Sequence, residues 1–315
     1  MLGALVIGES LIDIVEQDGR VLGEHVGGSP LNVAVGLGRL GHRVDFVTRI
    51  GDDAYGARIL AYLRSAGVRP AAGSVVAGPT ATARAILDDD KAADYHLELD
   101  WRLSGNPATP PPAVVHTGSL AAVVEPGCLA VAALLDTYRP AATVSFDPNI
   151  RPALLADRGL ARERIQRLVE GSDIVKVSAA DLNWIEPDRP VEQVARNWLA
   201  AGPAVVAVTL GDRGAFALCA AGIARVDAEA VAVADTIGAG DAFTVGLLDA
   251  LSAAGLLGAR RRAGLQAIDV TTLGAALRSA TDCAALTVAR RGADLPDRAA
   301  LDGYRVRRFG PAKNG

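Results

Sequence analysis

The chain opens on an apolar run, Ala4 to Gly8, that ends in glycine and reads as a buried first strand. From Leu11 to Val26 apolar and polar residues alternate around Asp18-Gly19, the pattern of a hairpin with one solvated face. Apolar spacing turns helical from Pro30 to Leu40, returns to strand at Val44 to Ile50, and is helical again from Ala54 to Ala66. Residues 74–103 differ in texture. Val75-Val76, Ala83 to Leu87 and Tyr95 to Leu99 are short, polar-interrupted strands around an acidic turn, Asp88-Asp89-Asp90. They predict a small one-sided sheet outside the main core, with the Pro-rich stretch Gly105 to Pro112 leading back to it.

The rhythm then becomes regular. Val114 to Gly118, Thr143 to Asp147, Ile174 to Ser178 and Val205 to Leu210 are apolar strands separated by helical stretches. Such alternation builds βαβ units, hence a parallel sheet covered by helices on both faces. Ala215 to Ala220 and Ile223 to Ala228 predict a hairpin, and helices near Asp241 to Ala254 and Leu273 to Ala289 close the chain; the tail after Arg305 is expected to be loose. In an open α/β sheet ligands bind outside the carboxyl ends of the strands. Gly8-Glu9, Gly118, Asp147-Pro148-Asn149, Ser178 and Gly211 all fall there, so one rim gathers the unusual residues.

Composition narrows the classes. A chain of 315 residues, half of them apolar, can bury a large core without disulfides or structural metal. A net charge of -4 argues against nucleic-acid binding, which usually needs a basic face, and against a polybasic membrane anchor. Cations are nearly all arginine; lysine occurs only at Lys91, Lys176 and Lys313. Cys128, Cys219 and Cys283 are scattered and form no CxxC pair, as a reducing compartment tolerates. The apolar start lacks a basic region and a cleavage site, and no apolar run reaches the roughly 20 residues that span a bilayer, so a cytoplasmic location is expected.

Asp235-Thr236-Ile237-Gly238-Ala239-Gly240-Asp241 is the most informative segment. Glycines ahead of a long helix let successive N–H groups form an anion nest at its positive end, able to hold a phosphoryl group. Asp241 falls in the first turn, where the helix dipole favours a carboxylate; taken alone, the same string also describes a glycine turn with an acidic cap. Gly27-Gly28-Ser29-Pro30-Leu31-Asn32 opens a second helix, either as a binding loop or as a plain cap. Thr209 to Ala215 ends a strand with glycines that admit a nucleotide or form a tight turn. Arg151, in Asp147-Pro148-Asn149-Ile150-Arg151, can clamp phosphate or sugar oxygens or serve a surface ion pair. Gly36-Leu37-Gly38-Arg39-Leu40-Gly41 matches GxGxxG but lies inside a helix, so it predicts close helix packing rather than a dinucleotide loop. No GxxxxGK[ST] or GxSxG occurs, and His25, His42, His96 and His116 share no metal-ligand spacing.

Together these motifs resemble the ribokinase-like, or pfkB-type, carbohydrate kinases. Gly27 to Gly51 is similar to the first signature of that family, with Asn32, Ala34, Gly41 and Gly51 in place, and Asp235 to Leu247 is similar to the second. Gly8, Glu9 and Asp13, the Thr209 to Gly214 turn and Arg291-Gly292-Ala293 extend the likeness over nearly the whole chain. The resemblance implies an α/β doubly wound, mostly parallel sheet in one kinase domain, 1–315. It also implies a small β lid, formed here by about 11–26 and 74–103, through which copies pair as a homodimer. Its chemistry is transfer of the γ-phosphoryl of ATP, with Mg2+, to a primary sugar hydroxyl. By the same resemblance Asp241 is the base and Gly238, Ala239 and Gly240 form the anion hole. Asp13, Gly28, Asn32 and Arg151 bind sugar, and Thr209, Gly211 and Gly214 bind nucleotide. A monovalent cation, K+, falls near Asp235, Ile237 and Gly292. Where many members carry NxxE, this chain has Ser178-Ala179-Ala180-Asp181, so a Mg2+ contact would come through Asp181 on a shorter arm. DPNIRPALL and VKVSAADL look most like fructokinases, with 2-dehydro-3-deoxygluconate kinases and ribokinases as alternatives. Glu98 and Asp100, with Arg102 as the only close cation, speak against an anionic sugar. A non-catalytic sugar-binding regulator on the same fold is the reading from another class, and the intact Asp241 and glycines speak against it.

Overall fold

The computed structural model describes residues 2–87, 93–103 and 110–310. In chain order the strands are β1 Gly3–Ile7, β2 Leu11–Gln17, β3 Arg20–Gly27, β4 Arg43–Val47, β5 Ile50–Gly51, β6 Arg69–Pro70, β7 Val75–Val76, β8 Thr82–Leu87 and β9 Ala93–Glu98. They continue as β10 Val114–Gly118, β11 Thr143–Asp147, β12 Ile174–Ser178, β13 Val205–Thr209, β14 Ala215–Cys219 and β15 Gly222–Val226. The helices are α1 Ser29–Arg39, α2 Ala54–Ser65, α3 Gly127–Tyr138, α4 Arg158–Gly171, α5 Ala179–Ile185, α6 Val191–Ala201, α7 Ala239–Ala253, α8 Arg262–Gln266, α9 Val270–Val288 and α10 Arg298–Phe309.

A nine-stranded sheet runs β15-β14-β13-β12-β11-β10-β1-β4-β6. All its pairings are parallel except the β13-β14-β15 hairpins at one edge. Because strand side chains alternate between faces, each buried strand feeds two cores. One core unites the sheet with α1, α2, α7 and α9, through residues such as Phe46, Phe243 and Leu277. The other unites it with α3, α4, α5 and α6, through Phe146, Leu168 and Trp198. The fold is thus the expected doubly wound α/β sheet. No helix of the described residues is long and apolar enough to cross a membrane.

A second, four-stranded sheet, β3-β2-β8-β9, stands beside the first. Its hairpin turns at Asp18 and Gly19, both at positive φ, 51° and 70°, which matches the right-handed twist of the flanking strands. Val75-Val76 does not join it: β7 pairs with β5 in a separate ribbon, because Ile50 and Gly51 leave the main sheet to meet it. The Asp88-Asp89-Asp90 turn and residues 104–109 of the Pro-rich stretch lie outside the described residues. The tail after Arg305, expected to be loose, is instead helical to Phe309: Asp297 caps α10 by accepting from the Ala300 N–H at 2.8 Å. Arg305 and Arg308 then tie α10 to Asp282 of α9.

The GxGxxG string is a packing device, as its helical position implied. A Cβ on Gly36 would come within 2.5 Å of Leu295, and one on Gly38 within 2.3 Å of the Ala66 carbonyl. Gly41 follows the Leu40 C-cap with φ 85°, the left-handed position that ends helices.

Candidate active site

α7 begins at the carboxyl rim of the main sheet. Its N-cap, Gly238, sits at φ 77°, and the Gly238 carbonyl accepts from Ala242 N–H at 2.9 Å. The first N–H groups of a helix have no carbonyl one turn back to bond, and the dipole makes that end positive. Gly238 and Gly240 line a cavity of about 330 Å³ together with Asp241, Asp13, Asn32 and Arg151. Ala239 is not among its lining residues, and its N–H donates to the Thr236 carbonyl at 3.3 Å. Of the three amides expected to form an anion nest, that of Ala239 thus closes the turn, while Gly238 and Gly240 border the cavity.

Asp241 is buried, and both carboxylate oxygens are held from α1. Ser29 Oγ donates to Oδ1 at 2.6 Å and Asn32 Nδ2 to Oδ2 at 2.8 Å. Burial raises its pKa above the ordinary carboxylate range, while Ser29, Asn32, Lys176 and Arg151 pull it back down. Asn32 Oδ1 has no hydrogen-bonding partner among the described residues, although it is buried beside the cavity. An unmatched buried acceptor is costly, so its presence here suits a hydroxyl donor from a ligand.

The opposite wall comes from the ends of β1, β10 and β11 and from β2. Glu9 accepts from Ala121 N–H at 2.9 Å, and burial pushes its carboxyl up to about 7. Asp13 is pushed up to about 6 by burial, against the pull of Arg151 and His25. Gly28, at φ 113°, brings the start of α1 against this wall: a Cβ there would lie 2.6 Å from the Glu9 carbonyl. Ser119 and Asn149, both cavity-lining, hold positive φ of 57° and 40°, local strain of the kind that collects at functional sites. Arg151 braces itself on Asn149 Oδ1 at 2.7 Å and is the single cation among three cavity carboxyls, Glu9, Asp13 and Asp241.

Of the other expected positions Ile237 lines this cavity, and the rest fall around it. Thr209 ends β13 in register with Ser178, and the Leu210 N–H closes the following turn on the Gly214 carbonyl at 2.8 Å. Gly211 and Gly214 both hold left-handed φ, 65° and 83°. Asp235 accepts from Ile237 N–H at 3.0 Å and from Gly292 N–H at 2.9 Å, which brings those three residues to one place. Asp181 has its carboxylate engaged on both oxygens: Ile150 N–H donates to Oδ1 at 3.0 Å, and Ser178 Oγ to Oδ2 at 2.7 Å. With Ser178 it forms the capping box of α5.

Two expectations about Glu98 and Asp100 change. Neither lines the cavity, and Arg102 is not the only cation near Asp100, since Arg49 also reaches it at 2.8 Å. Sequence reasoning gave no role to Lys176 or Asp147, which form a buried ion pair at 2.9 Å beneath α7. The available signal was a lone lysine within an apolar strand of an arginine-rich chain. A larger cavity, about 750 Å³, lies between α7, α9 and α10. Among its charged groups His42 and Arg298 pair with Asp249, and Arg305 with Asp282, and no glycine is among its lining residues.

The profile of the pfkB family carbohydrate kinases matches residues 1–300. A fructokinase of Rhizobium leguminosarum bv. trifolii is 34% identical over 276 residues, 83% of this chain and 83% of that protein. Among solved structures, a double mutant of Vibrio cholerae O395 fructokinase in its fructose, ADP and potassium ion bound form superposes with a TM-score of 0.79 at 26% identity, over 96% of this chain and 99% of that one. Aminoimidazole riboside kinase from Salmonella enterica, complexed with aminoimidazole riboside and an ATP analogue, gives 0.77 at 26% identity over 96% and 99%. With that profile spanning nearly the whole chain and the doubly wound sheet shared with these kinases, the chain belongs to the pfkB family of carbohydrate kinases.

Proposed function

We propose that this ATP-dependent sugar kinase phosphorylates fructose at a primary hydroxyl, with Asp241 as the general base. The observation that carries the reading is the placement of a buried carboxylate and a glycine nest on one wall of one cavity. In the transfer, the hydroxyl oxygen attacks the γ-phosphorus and its proton passes to an Asp241 carboxylate oxygen. The bond from that phosphorus to the bridging oxygen breaks, and its electron pair leaves with ADP. The N–H groups at the start of α7, beside Gly238 and Gly240, face the charge on the phosphoryl oxygens. Asn32 holds Asp241 through Nδ2 and keeps Oδ1 for a sugar hydroxyl. Asp13, Gly28 and Arg151 shape the sugar end, and Thr209, Gly211 and Gly214 form the nucleotide turn.

The choice of a neutral sugar rests on the cavity carboxyls. An anionic sugar would meet Glu9, Asp13 and Asp241 with only Arg151 to offset them. Each uncompensated contact costs roughly 1 kcal/mol or more. The four-stranded sheet, with Ala83 and Asp13 on the cavity wall, is the lid that excludes water. Exposed Val21 and Leu22 on β3 and Ile86 on β8 support pairing of two copies through that sheet.

The residues present fit a monovalent cation better than a direct Mg2+ ligand. Asp235 already accepts on both oxygens from the Ile237 and Gly292 N–H groups, so K+ beside the nest would be held chiefly by main-chain oxygens of these residues, where it would steady the loop electrostatically. Asp181, with both oxygens already accepting, would meet Mg2+ only through water, so the ion that accompanies ATP is held chiefly by the phosphates. Coupled ADP release over fructose, ribose, aminoimidazole riboside and 2-dehydro-3-deoxygluconate tests the reading. The highest kcat/KM is expected for fructose. A higher value for a riboside or the acid sugar overturns the substrate, and binding without turnover of any of them favours the regulator.

A further inference from the structure

The Lys176–Asp147 pair has no part in the chemistry above, yet it lies directly under it. Lys176 Nζ donates to Asp147 Oδ2 at 2.9 Å, with side-chain exposures of 5% and 1%. Nζ also abuts the nest: a Cβ built on Gly240 would sit 2.8 Å from it. Glycine at 240 thus leaves room for an ammonium beneath the first turn of α7. An ammonium carries three donors, and the one hydrogen bond to Asp147 leaves two beside Gly240.

Stability alone does not account for the pair. Replacing a buried ion pair by apolar residues is often neutral or stabilising, because desolvation cancels most of the attraction. β12 is otherwise apolar around it, with Ile174, Val175 and Val177 fully buried, so an aliphatic residue at 176 would suit the strand. The charges around α7's start explain it better. The charged groups around Asp241 and Lys176 are Asp147 on β11, Asp181 on α5, Glu9 after β1, Asp13 on β2 opposite His25 on β3, and Arg151 after β11. His116 on β10, bonded to Ser145 at 3.1 Å, is neutral because burial depresses it to about 3. Arg151 is solvent-exposed, so Lys176 is the buried cation of this group among the described residues.

We propose that Lys176, held by Asp147, is a positioning residue for phosphoryl transfer, its ammonium keeping Asp241 ionised and steadying the Gly240 turn from beneath. The role rests on the reading of Asp241 as the base. It predicts that the two members of the pair act in opposite senses on the acid limb of the kcat–pH profile, measured on the full-length enzyme with saturating fructose and ATP. Lys176→Gln removes the cation and moves the limb to higher pH by about one unit. Asp147→Asn keeps the cation, removes a competing anion and moves the limb to lower pH. KM for fructose stays within about threefold in both, since neither residue lines the cavity. A pair that only supports the fold would lower the melting temperature in both variants and leave the limbs unmoved or shifted together, which overturns the proposal. If Lys176→Gln does not fold, Asp147→Asn decides alone, because it retains the side-chain size, an oxygen that accepts from Lys176, and the cation itself. Asp241→Asn separates this proposal from the one beneath it. A near-wild-type rate there overturns the base and this role with it. Loss of rate there, with unmoved limbs in the pair variants, overturns the role of Lys176 only.

Discussion

One face of β11 and β12 carries Val144, Phe146, Val175 and Val177 against α3 to α6; the other carries Ser145, Asp147 and Lys176 beneath the start of α7. Both faces are closed to solvent, with none of these residues more than 4% exposed. The apolar face does what a parallel sheet ordinarily does, burying β-branched and aromatic side chains under helices. The polar face holds, on the same strands, groups that are expensive to bury. Of the three buried side-chain atoms without a partner among the described residues, Asp147 Oδ1 belongs to it, His116 Nε2 comes from the neighbouring β10, and Asn32 Oδ1 is across the cavity wall. On these two strands one face serves packing alone, whereas the other, beside the core that α7 and α9 share, places polar groups under the site, where unmatched atoms persist because they serve it.

The sharpest break in that comparison is Asp241→Asn. It keeps size and both hydrogen-bonding neighbours but removes basicity, so kcat should fall by about 10²–10⁴-fold. Fructose affinity by calorimetry should change far less, because Asp13, Asn32 and Arg151 remain. A variant within about threefold of wild-type kcat would show that Asp241 is only a cap. On the opposite face, Phe146→Ala should cost about 3–5 kcal/mol in urea unfolding through lost burial and a cavity. Ser145→Ala, one residue away but on the polar face, should cost about 1 kcal/mol, the worth of its bond to His116. Equal losses at the two positions would erase the distinction between the faces.

The gentlest test concerns Glu9. Its folded pKa, about 7, stands above the ordinary value of 4.5, so the folded state prefers the protonated carboxyl. The stability this contributes is complete below pH 4.5 and is lost as pH rises through 7. Glu9→Gln should therefore be more stable than wild type at pH 8, by on the order of 2 kcal/mol, with the gain vanishing near pH 4.5. A melting-temperature difference that does not depend on pH would refute burial of a titrating group there.

What was legible in the chain was what is local. Strand β10, β11 and β12 boundaries, the Asp18-Gly19 turn, the glycine nest and Asp241's place in a first turn all follow from short-range pattern, because dihedral preferences and helix-end geometry act over a few residues. The α10 helix was legible in part: its Asp297 cap is a start signal, but its anchoring by Asp282 is tertiary. Asp13, Asn32, Arg151 and Asp241 could each be picked out singly. That they share one cavity depends on contacts such as Ser29 to Asp241, 212 residues apart. Only the tertiary structure could show that Asp181 spends its carboxylate on Ser178 and Ile150, that the Val75-Val76 strand leaves the small sheet, and that Lys176 meets Asp147 and Gly240. Strand spacing tells which residues face a core; which charge lies beneath which helix end is decided by how the α7 packing seats that end over two strands, and no local propensity encodes it.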